Sequence, residues 1–164
     1  FSRGSQVFAG CAGRYRKPKV PGMAFKILLV DDNRSFLATI APLISALEGA
    51  EVVGEAHDGL EALTMATVLV PDLLLLDIAM PRLNGLEVAQ RMQSWMHKPR
   101  IVFLTMHQQD SYRLAAQELG AEGCYDKGEF FTDVLPRVER MVEHASMPVT
   151  VGATLTGGLT RDTP

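Results

Sequence analysis

With 164 residues, 47% of them hydrophobic and 21% charged, the chain has the composition of one globular domain and not of a disordered segment. No apolar run approaches the ~20 residues that a membrane-spanning helix needs, so no membrane span is expected. Residues 1–22 carry +5 and the whole chain −3, so residues 23–164 carry −8, which argues against direct nucleic-acid binding by the body of the chain.

The two ends of the chain differ in composition from the middle. Residues 1–22 are basic and precede the first methionine, Met23, so we expect a flexible or non-native extension there. Residues 146–164 are rich in Thr and Gly and lack apolar periodicity, which predicts a flexible tail too short for a DNA-binding output domain. The folded domain is therefore expected at 23–145. Cys11 and Cys124 are far apart and have no metal-ligand spacing, which favours a reducing, cytoplasmic location.

In the middle, short apolar runs alternate five times with segments of helical periodicity. The runs, predicted to be strands, are 27–30, 52–54, 73–76, 101–104 and 123–125. The helical segments that follow them begin near Phe36, Leu60, Leu86, Tyr112 and Phe131. Pro71 and Pro99 are expected to end the second and third helices, and Gly120 to cap the fourth. Strict alternation with short links predicts an α/β fold: a parallel sheet with right-handed crossovers and helices on both faces.

Polar residues follow four of the predicted strands. In a doubly wound sheet, ligands bind beyond the carboxyl ends of the strands. Those ends carry Asp31 and Asp32 after the first strand, Asp77 after the third, Thr105 after the fourth, and Lys127 after the fifth. Each alone is readily explained as a strand-ending polar residue or a helix cap. Five at matching ends indicate one shared site.

The residue types at this site fit phosphoryl transfer to a carboxylate. Three clustered carboxylates repel each other, and Mg²⁺ would neutralise them through oxygen ligands while leaving room for phosphate oxygens. Asp77 could then act as the nucleophile that forms an acyl phosphate. Lys127 supplies a compact positive charge and Thr105 a hydroxyl donor for the phosphoryl oxygens.

From Phe25 to about Ala145, the sequence resembles the bacterial two-component response regulator receiver domain (CheY-like). The matching stretches are LVDDN at 29–33, LDIAMP at 76–81 with Gly85, LTM at 104–106 and CYDK at 124–127. The resemblance implies a doubly wound, flavodoxin-like (βα)5 fold with sheet order 2-1-3-4-5. It implies that Asp77 accepts phosphate from a sensor histidine kinase or a phosphotransfer protein. It also implies that Thr105 and Lys127 contact the phosphoryl group, and that Mg²⁺ is held by Asp31, Asp32, Asp77 and the backbone carbonyl of Ala79.

The activity implied by the resemblance is that of a signalling switch in a phosphorelay, not of an enzyme with a separate substrate. Such a domain catalyses only its own phosphotransfer and autodephosphorylation, and its altered surface controls a partner or an output domain. Receivers commonly dimerise or bind partners through the fourth helix, fifth strand and fifth helix, which makes a homodimer through that face an option here.

One departure from the family pattern concerns the switch. Cys124 stands where the family usually has Tyr or Phe, and alternation along the strand points Tyr125 to the other face. A receiver-like interaction module that works without phosphorylation is therefore the alternative. Other classes fit less well: a haloacid-dehalogenase-type phosphatase would need an Asp where Ala79 stands, and flavin or dinucleotide binders would need a Gly- or Ser/Thr-rich loop after the first strand.

Overall fold

The structure, a computed structural model, describes residues 24–107 and 109–146. The predictions for residues 1–22, for Cys11 and for the tail from 147 onwards lie outside the described residues. No helix in the described part of the chain is long and apolar enough to cross a membrane.

Within the described residues, five parallel strands alternate with five α-helices. The strands are β1 (Phe25–Val30), β2 (Ala50–Ala56), β3 (Leu73–Asp77), β4 (Arg100–Thr105) and β5 (Gly123–Asp126). The helices are α1 (Arg34–Ser45), α2 (Gly59–Leu69), α3 (Gly85–Met92), α4 (Asp110–Glu118) and α5 (Leu135–Ser146). A 3-10 turn (Lys127–Glu129) and a π-helical turn (Phe130–Val134) lie between β5 and α5. The sheet order β2-β1-β3-β4-β5 confirms the predicted doubly wound, flavodoxin-like fold.

The core consists of two layers, one on each face of the sheet. Successive residues of β3 point to opposite faces, so Leu73 and Leu75 join one layer and Leu74 and Leu76 the other. Helices α1 and α5 cover the first layer, and α2, α3 and α4 cover the second. Because both faces of β3 are buried, its sequence is a continuous apolar run.

Pro71 marks the end of the second helix as predicted, whereas Pro99 does not mark the end of the third. Helix α2 ends at Leu69, and Val70, which caps it in a left-handed conformation (φ 46°), directly precedes Pro71. Helix α3 ends at Met92, seven residues before Pro99, and Met96, which matched the helical period, is 91% exposed. After Met92 the chain turns: the Trp95 N–H donates to the carbonyl of Met92 at 3.0 Å, and the Trp95 side chain packs against the core layer beneath α2, α3 and α4. The prediction that Gly120 lies at the end of α4 is confirmed, since it follows the capping residue Leu119 with φ 68°.

Candidate functional site

Three carboxylates meet at the carboxyl end of the sheet. Val30 pairs with Leu76 across β1 and β3, which brings Asp31, directly after β1, beside Asp77, the last residue of β3. One carboxylate oxygen from each of Asp31, Asp32 and Asp77 lies within 4.8 Å of the other two. Asp31 and Asp77 are buried, whereas Asp32 is exposed. The site is therefore a pocket of negative charge that opens to solvent on the side of Asp32.

Lys127 brings a buried positive charge to two of these carboxylates. Its Nζ lies 2.6 Å from Asp31 Oδ2 and 3.1 Å from Asp77 Oδ2. The other oxygen of each carboxylate accepts a backbone N–H: Asn33 donates to Asp31 Oδ1 at 2.8 Å, and Ala79 donates to Asp77 Oδ1 at 3.3 Å. The lysine thus offsets part of the repulsion that three adjacent carboxylates would otherwise feel.

Asp77 is harder to ionise than an ordinary aspartate. The pKa of Asp77 is raised to about 6: burial is the largest cause and the neighbouring Asp31 carboxylate adds to it, while Lys127 and the Ala79 N–H act in the opposite direction. At neutral pH the carboxylate is ionised in a site that disfavours its charge. An additional cation would be stabilised there.

Thr105, at the end of β4, lies on the strand next to Asp77. Asp77 pairs with Leu104, so Thr105 is one residue further along the neighbouring strand. Its hydroxyl is buried, donates to the backbone carbonyl of His107 at 3.0 Å and accepts the His107 N–H at 3.2 Å. The hydroxyl is therefore held by the loop that follows β4.

The loop after β3 depends on a close approach of Gly85. A Cβ on Gly85 would lie 2.2 Å from the carbonyl oxygen of Asp77, so only glycine fits, and the Gly85 N–H donates to the carbonyl of Ile78 at 3.0 Å. Arg82 in the same loop forms an ion pair with Asp58, the N-cap of α2. These contacts fix the backbone that carries Asp77 and Ala79. Ala79 itself is exposed at the site, and the role of its carbonyl remains a prediction.

The predicted positions of Cys124 and Tyr125 are confirmed. Cys124 packs against the core layer beneath α2, α3 and α4, whereas Tyr125 packs against the layer beneath α1 and α5 and lies over Gly123. Burial raises the pKa of the Cys124 thiol, so it behaves as a small, partly buried apolar side chain. The family's aromatic position is therefore occupied by a much smaller group.

Sequence reasoning assigned Phe36 only to the apolar face of a helix and did not single out Phe130. In the structure the Phe36 ring lies beside Lys127, whose Nζ is 5.2 Å from the ring centroid, and Phe130 packs edge-to-face against Phe36. Asn33, directly after Asp32, caps α1 and places Phe36 in the first turn of this helix. The short spacing between Asp32 and Phe36 is therefore the sequence feature that could have indicated the contact.

The donor atoms fit a hard divalent cation. Three carboxylates are oxygen ligands of the kind that Mg²⁺ binds, and Asp32 gives access from solvent. The cluster is consistent with the expected metal site and contains no soft sulfur or imidazole ligand among its three members.

The comparison with protein families decides the class of protein. The sequence model described as "Response regulator receiver domain" matches residues 27–139. The chain belongs to this family. Receiver domains occur in two-component signalling, and the resemblance stated from the sequence alone is thus confirmed.

Two similar proteins are longer than the segment that aligns with this chain. The response regulator MprA of Mycobacterium ulcerans is 34% identical over 125 residues, which cover 76% of this chain and 53% of that protein. A protein-glutamate methylesterase/protein-glutamine glutaminase of Myxococcus xanthus is 38% identical over 103 residues, covering 62% of this chain and 30% of that protein. The chain thus spans about half of the first protein and less than a third of the second.

A solved structure agrees with the fold. The receiver domain of the putative response regulator NarL from Mycobacterium tuberculosis is 28% identical and superposes with a TM-score of 0.67, covering 73% of this chain and 97% of that domain. The match spans nearly the whole of a separately solved receiver, as expected if most of this chain is one such domain.

Proposed function

We propose that this receiver domain is a phosphorylation-driven switch whose phosphate acceptor is Asp77. The observation that carries the proposal is the placement of Asp77: a buried carboxylate with a raised pKa, 3.1 Å from the Lys127 ammonium and beside two further carboxylates. Phosphorylation would convert this disfavoured carboxylate into an acyl phosphate whose charge faces the lysine. Strongly perturbed carboxylates paired with a specific charge partner cluster at functional sites.

Asp31, Asp32 and Asp77, with the backbone carbonyl of Ala79, are the residues that we propose to hold Mg²⁺. When bound, the ion would neutralise the carboxylates and the charge of the phosphoryl oxygens. The open side at Asp32 provides the route by which both the ion and the phosphodonor would enter.

The proposed reaction uses the carboxylate of Asp77 as the nucleophile. A carboxylate oxygen forms a bond to phosphorus while the bond between phosphorus and the imidazole nitrogen of a phosphohistidine donor breaks, and the electron pair leaves with the imidazole. Lys127 would exchange its contact with Asp31 for a phosphoryl oxygen. Thr105 would turn its hydroxyl from the carbonyl of His107 to another phosphoryl oxygen.

This exchange gives the proposed switch. When the Thr105 hydroxyl leaves His107, the loop between β4 and α4 loses a contact that holds it in the unphosphorylated arrangement. Because Cys124 and not an aromatic ring occupies the adjoining strand position, less volume has to move on the α4 side than in a receiver with an aromatic residue there. We expect the change to be concentrated in the β4-α4 loop.

The partners and boundaries follow as part of the same proposal. We assign the receiver to residues 23–145, with a cytoplasmic histidine kinase or phosphotransfer protein as the donor. The similarity to a regulator and to a methylesterase, each much longer than the aligned segment, supports control of an output domain or of a separate partner. The domain would catalyse its own phosphorylation and dephosphorylation only.

Intact-mass spectrometry tests the proposal. The protein is incubated with Mg²⁺ and acetyl phosphate beside Asp77→Asn and, as a charge-matched control, Asp133→Asn, which changes an exposed aspartate. The wild type and Asp133→Asn are expected to gain one phosphoryl group, about 80 Da, and Asp77→Asn none. An adduct of equal yield on Asp77→Asn would contradict the assignment.

A receiver-like module that binds its partner without phosphorylation is the second candidate, favoured by Cys124 at the aromatic position. If the wild type binds Mg²⁺ but gains no mass from several phosphodonors, this candidate replaces the first.

A further inference from the structure

We propose that Phe36 is a positioning residue for Lys127, its ring face holding the ammonium group over the site while the lysine exchanges one oxygen partner for another. The inference rests on the proposed phosphotransfer for its functional consequence. The contact itself is a property of the unphosphorylated fold.

The geometry is that of a cation–π interaction. Lys127 Nζ lies 5.2 Å from the centroid of the Phe36 ring, within the ~6 Å over which an ammonium is attracted to an aromatic face. The lysine is buried, so water competes little for its charge, and such contacts are stronger when they are desolvated.

Local hydrogen bonds tie Phe36 to the loop that carries the carboxylates. Asp31 accepts the Asn33 N–H at 2.8 Å, and the Asn33 side chain accepts the Phe36 N–H at 3.1 Å, which begins helix α1. The ring is therefore fixed relative to Asp31, one of the two carboxylates that contact the lysine.

A second ring holds Phe36 in this orientation. The edge-to-face partner of Phe36 is Phe130, with centroids 5.8 Å apart and an interplanar angle of 88°. Phe130 is fully buried and begins the π-helical turn three residues after Lys127. That turn, a rare form often found at functional sites, follows directly on the 3-10 turn that begins at the lysine.

The ring supplies an anchor that an oxygen ligand could not. An aromatic face attracts the ammonium without carrying a formal charge, so it does not compete with a phosphoryl oxygen as a third carboxylate would. The three N–H donors of Lys127 can therefore move from Asp31 towards a phosphoryl oxygen while the nitrogen stays over Phe36. Without the ring, the ammonium would be held only by Asp77 and by Asp31, the carboxylate whose contact it exchanges.

The test compares two replacements of Phe36. Phe36→Leu keeps an apolar side chain but removes the aromatic face, whereas Phe36→Tyr keeps both; Phe36→Met is a second apolar replacement in case the Leu variant does not fold. We expect the initial rate of phosphorylation by acetyl phosphate to fall about tenfold in Phe36→Leu and Phe36→Met and to stay within about twofold in Phe36→Tyr. The dissociation constant for Mg²⁺ should change less than twofold in all three, since no carboxylate is altered.

An NMR measurement separates this inference from the proposed function. Ring currents should shift the Lys127 Hε protons upfield in the unphosphorylated wild type and in Phe36→Tyr but not in Phe36→Leu, with Lys127→Met used for assignment. An unshifted wild-type signal, or equal rates in the Leu and wild-type proteins, would overturn the positioning role. If the ring-current shift is present but the wild type gains no phosphate, the phosphotransfer proposal fails and the ammonium–ring contact stands.

Discussion

Replacing Asp77 by Asn is expected to stabilise the metal-free protein at neutral pH, although it removes the proposed phosphate acceptor. Asn has nearly the same shape as Asp and carries no charge, so it relieves the cost of an ionised carboxylate in a buried site beside Asp31. The contact of Lys127 with Asp31 would remain.

The size of the effect follows from the pKa of Asp77, which is about 6 in the folded chain against 3.8 for an unperturbed aspartate. The folded state binds the proton more tightly than the unfolded state does. The free energy of unfolding therefore falls as pH rises between these two pKa values, by about 3 kcal/mol in total at ~1.4 kcal/mol per pH unit. Solvent on the open side of the site screens part of this electrostatic cost, so Asp77→Asn should be more stable than the wild type by roughly 2 kcal/mol at pH 7. The advantage should fall to about half at pH 5, where most of the folded wild type is protonated at Asp77.

Urea unfolding with a chelator present, followed by the fluorescence of the single tryptophan, Trp95, measures these differences, since Trp95 packs against the core. Asp133→Asn serves as the charge-matched control and should change stability by less than about 0.5 kcal/mol at either pH. Equal stability of wild type and Asp77→Asn at pH 7, or an advantage that grows as pH falls, would refute the reasoning.

Three further predictions concern metal binding, the far end of the sheet and the loop after β3. Saturating Mg²⁺ should raise the melting temperature of the wild type more than that of Asp77→Asn, because the ion relieves a repulsion that Asn has already removed; equal shifts by calorimetry would contradict this. Glu122→Gln should cost about 1 kcal/mol at pH 7, because the ion pairs with Arg100 (2.7 Å) and Arg137 (3.0 Å) hold the pKa of Glu122 below its usual range. In urea unfolding, that cost should disappear as pH falls through the lowered pKa, and a cost independent of pH would contradict the ion-pair explanation. Gly85→Ala should destabilise the fold by about 2 kcal/mol or more and slow phosphorylation, because its Cβ would lie 2.2 Å from the Asp77 carbonyl; an unchanged thermal melt would contradict this.

The strands and the strand-end residues were predictable because a parallel sheet buried on both faces leaves a simple pattern. Each central strand is a continuous apolar run, and the first polar residues after it must lie at the carboxyl edge. Asp31, Asp77, Thr105 and Lys127 were found in this way, and the structure places all four at one edge of the sheet. The pattern does not show which of these groups are in contact. In the structure, the Lys127 ammonium lies nearer to Asp31 than to Asp77, which the sequence pattern did not predict.

Helix ends and aromatic contacts were less predictable, for physical reasons. Met96 keeps the helical period of α3, but the chain turns after Met92 and Trp95 packs against the core, a tertiary contact that local spacing does not contain. β2 is an edge strand, and a Cβ at Gly54 would lie 2.4 Å from Cε of Met65 on α2, so a larger residue there would require the Met65 side chain to move.

The Phe36 contact illustrates the same limit at the site. Helical spacing predicts that Phe36 is apolar and faces inward, and it does pack against the core layer beneath α1 and α5. Its position over the ammonium of Lys127 depends on β5 and the turn that follows it, about ninety residues later in the chain. Only the assembled fold relates these two segments.

The central claim, that Asp77 carries the phosphate, is tested most directly by chemical mapping of the modified residue. The protein is treated with acetyl phosphate and Mg²⁺, reduced with borohydride, which converts an aspartyl phosphate to homoserine, and digested for peptide mass analysis. Homoserine at position 77 alone is the predicted result. Homoserine at position 31 or 32, or a phosphoryl group on a side chain other than aspartate, would contradict the assignment of Asp77.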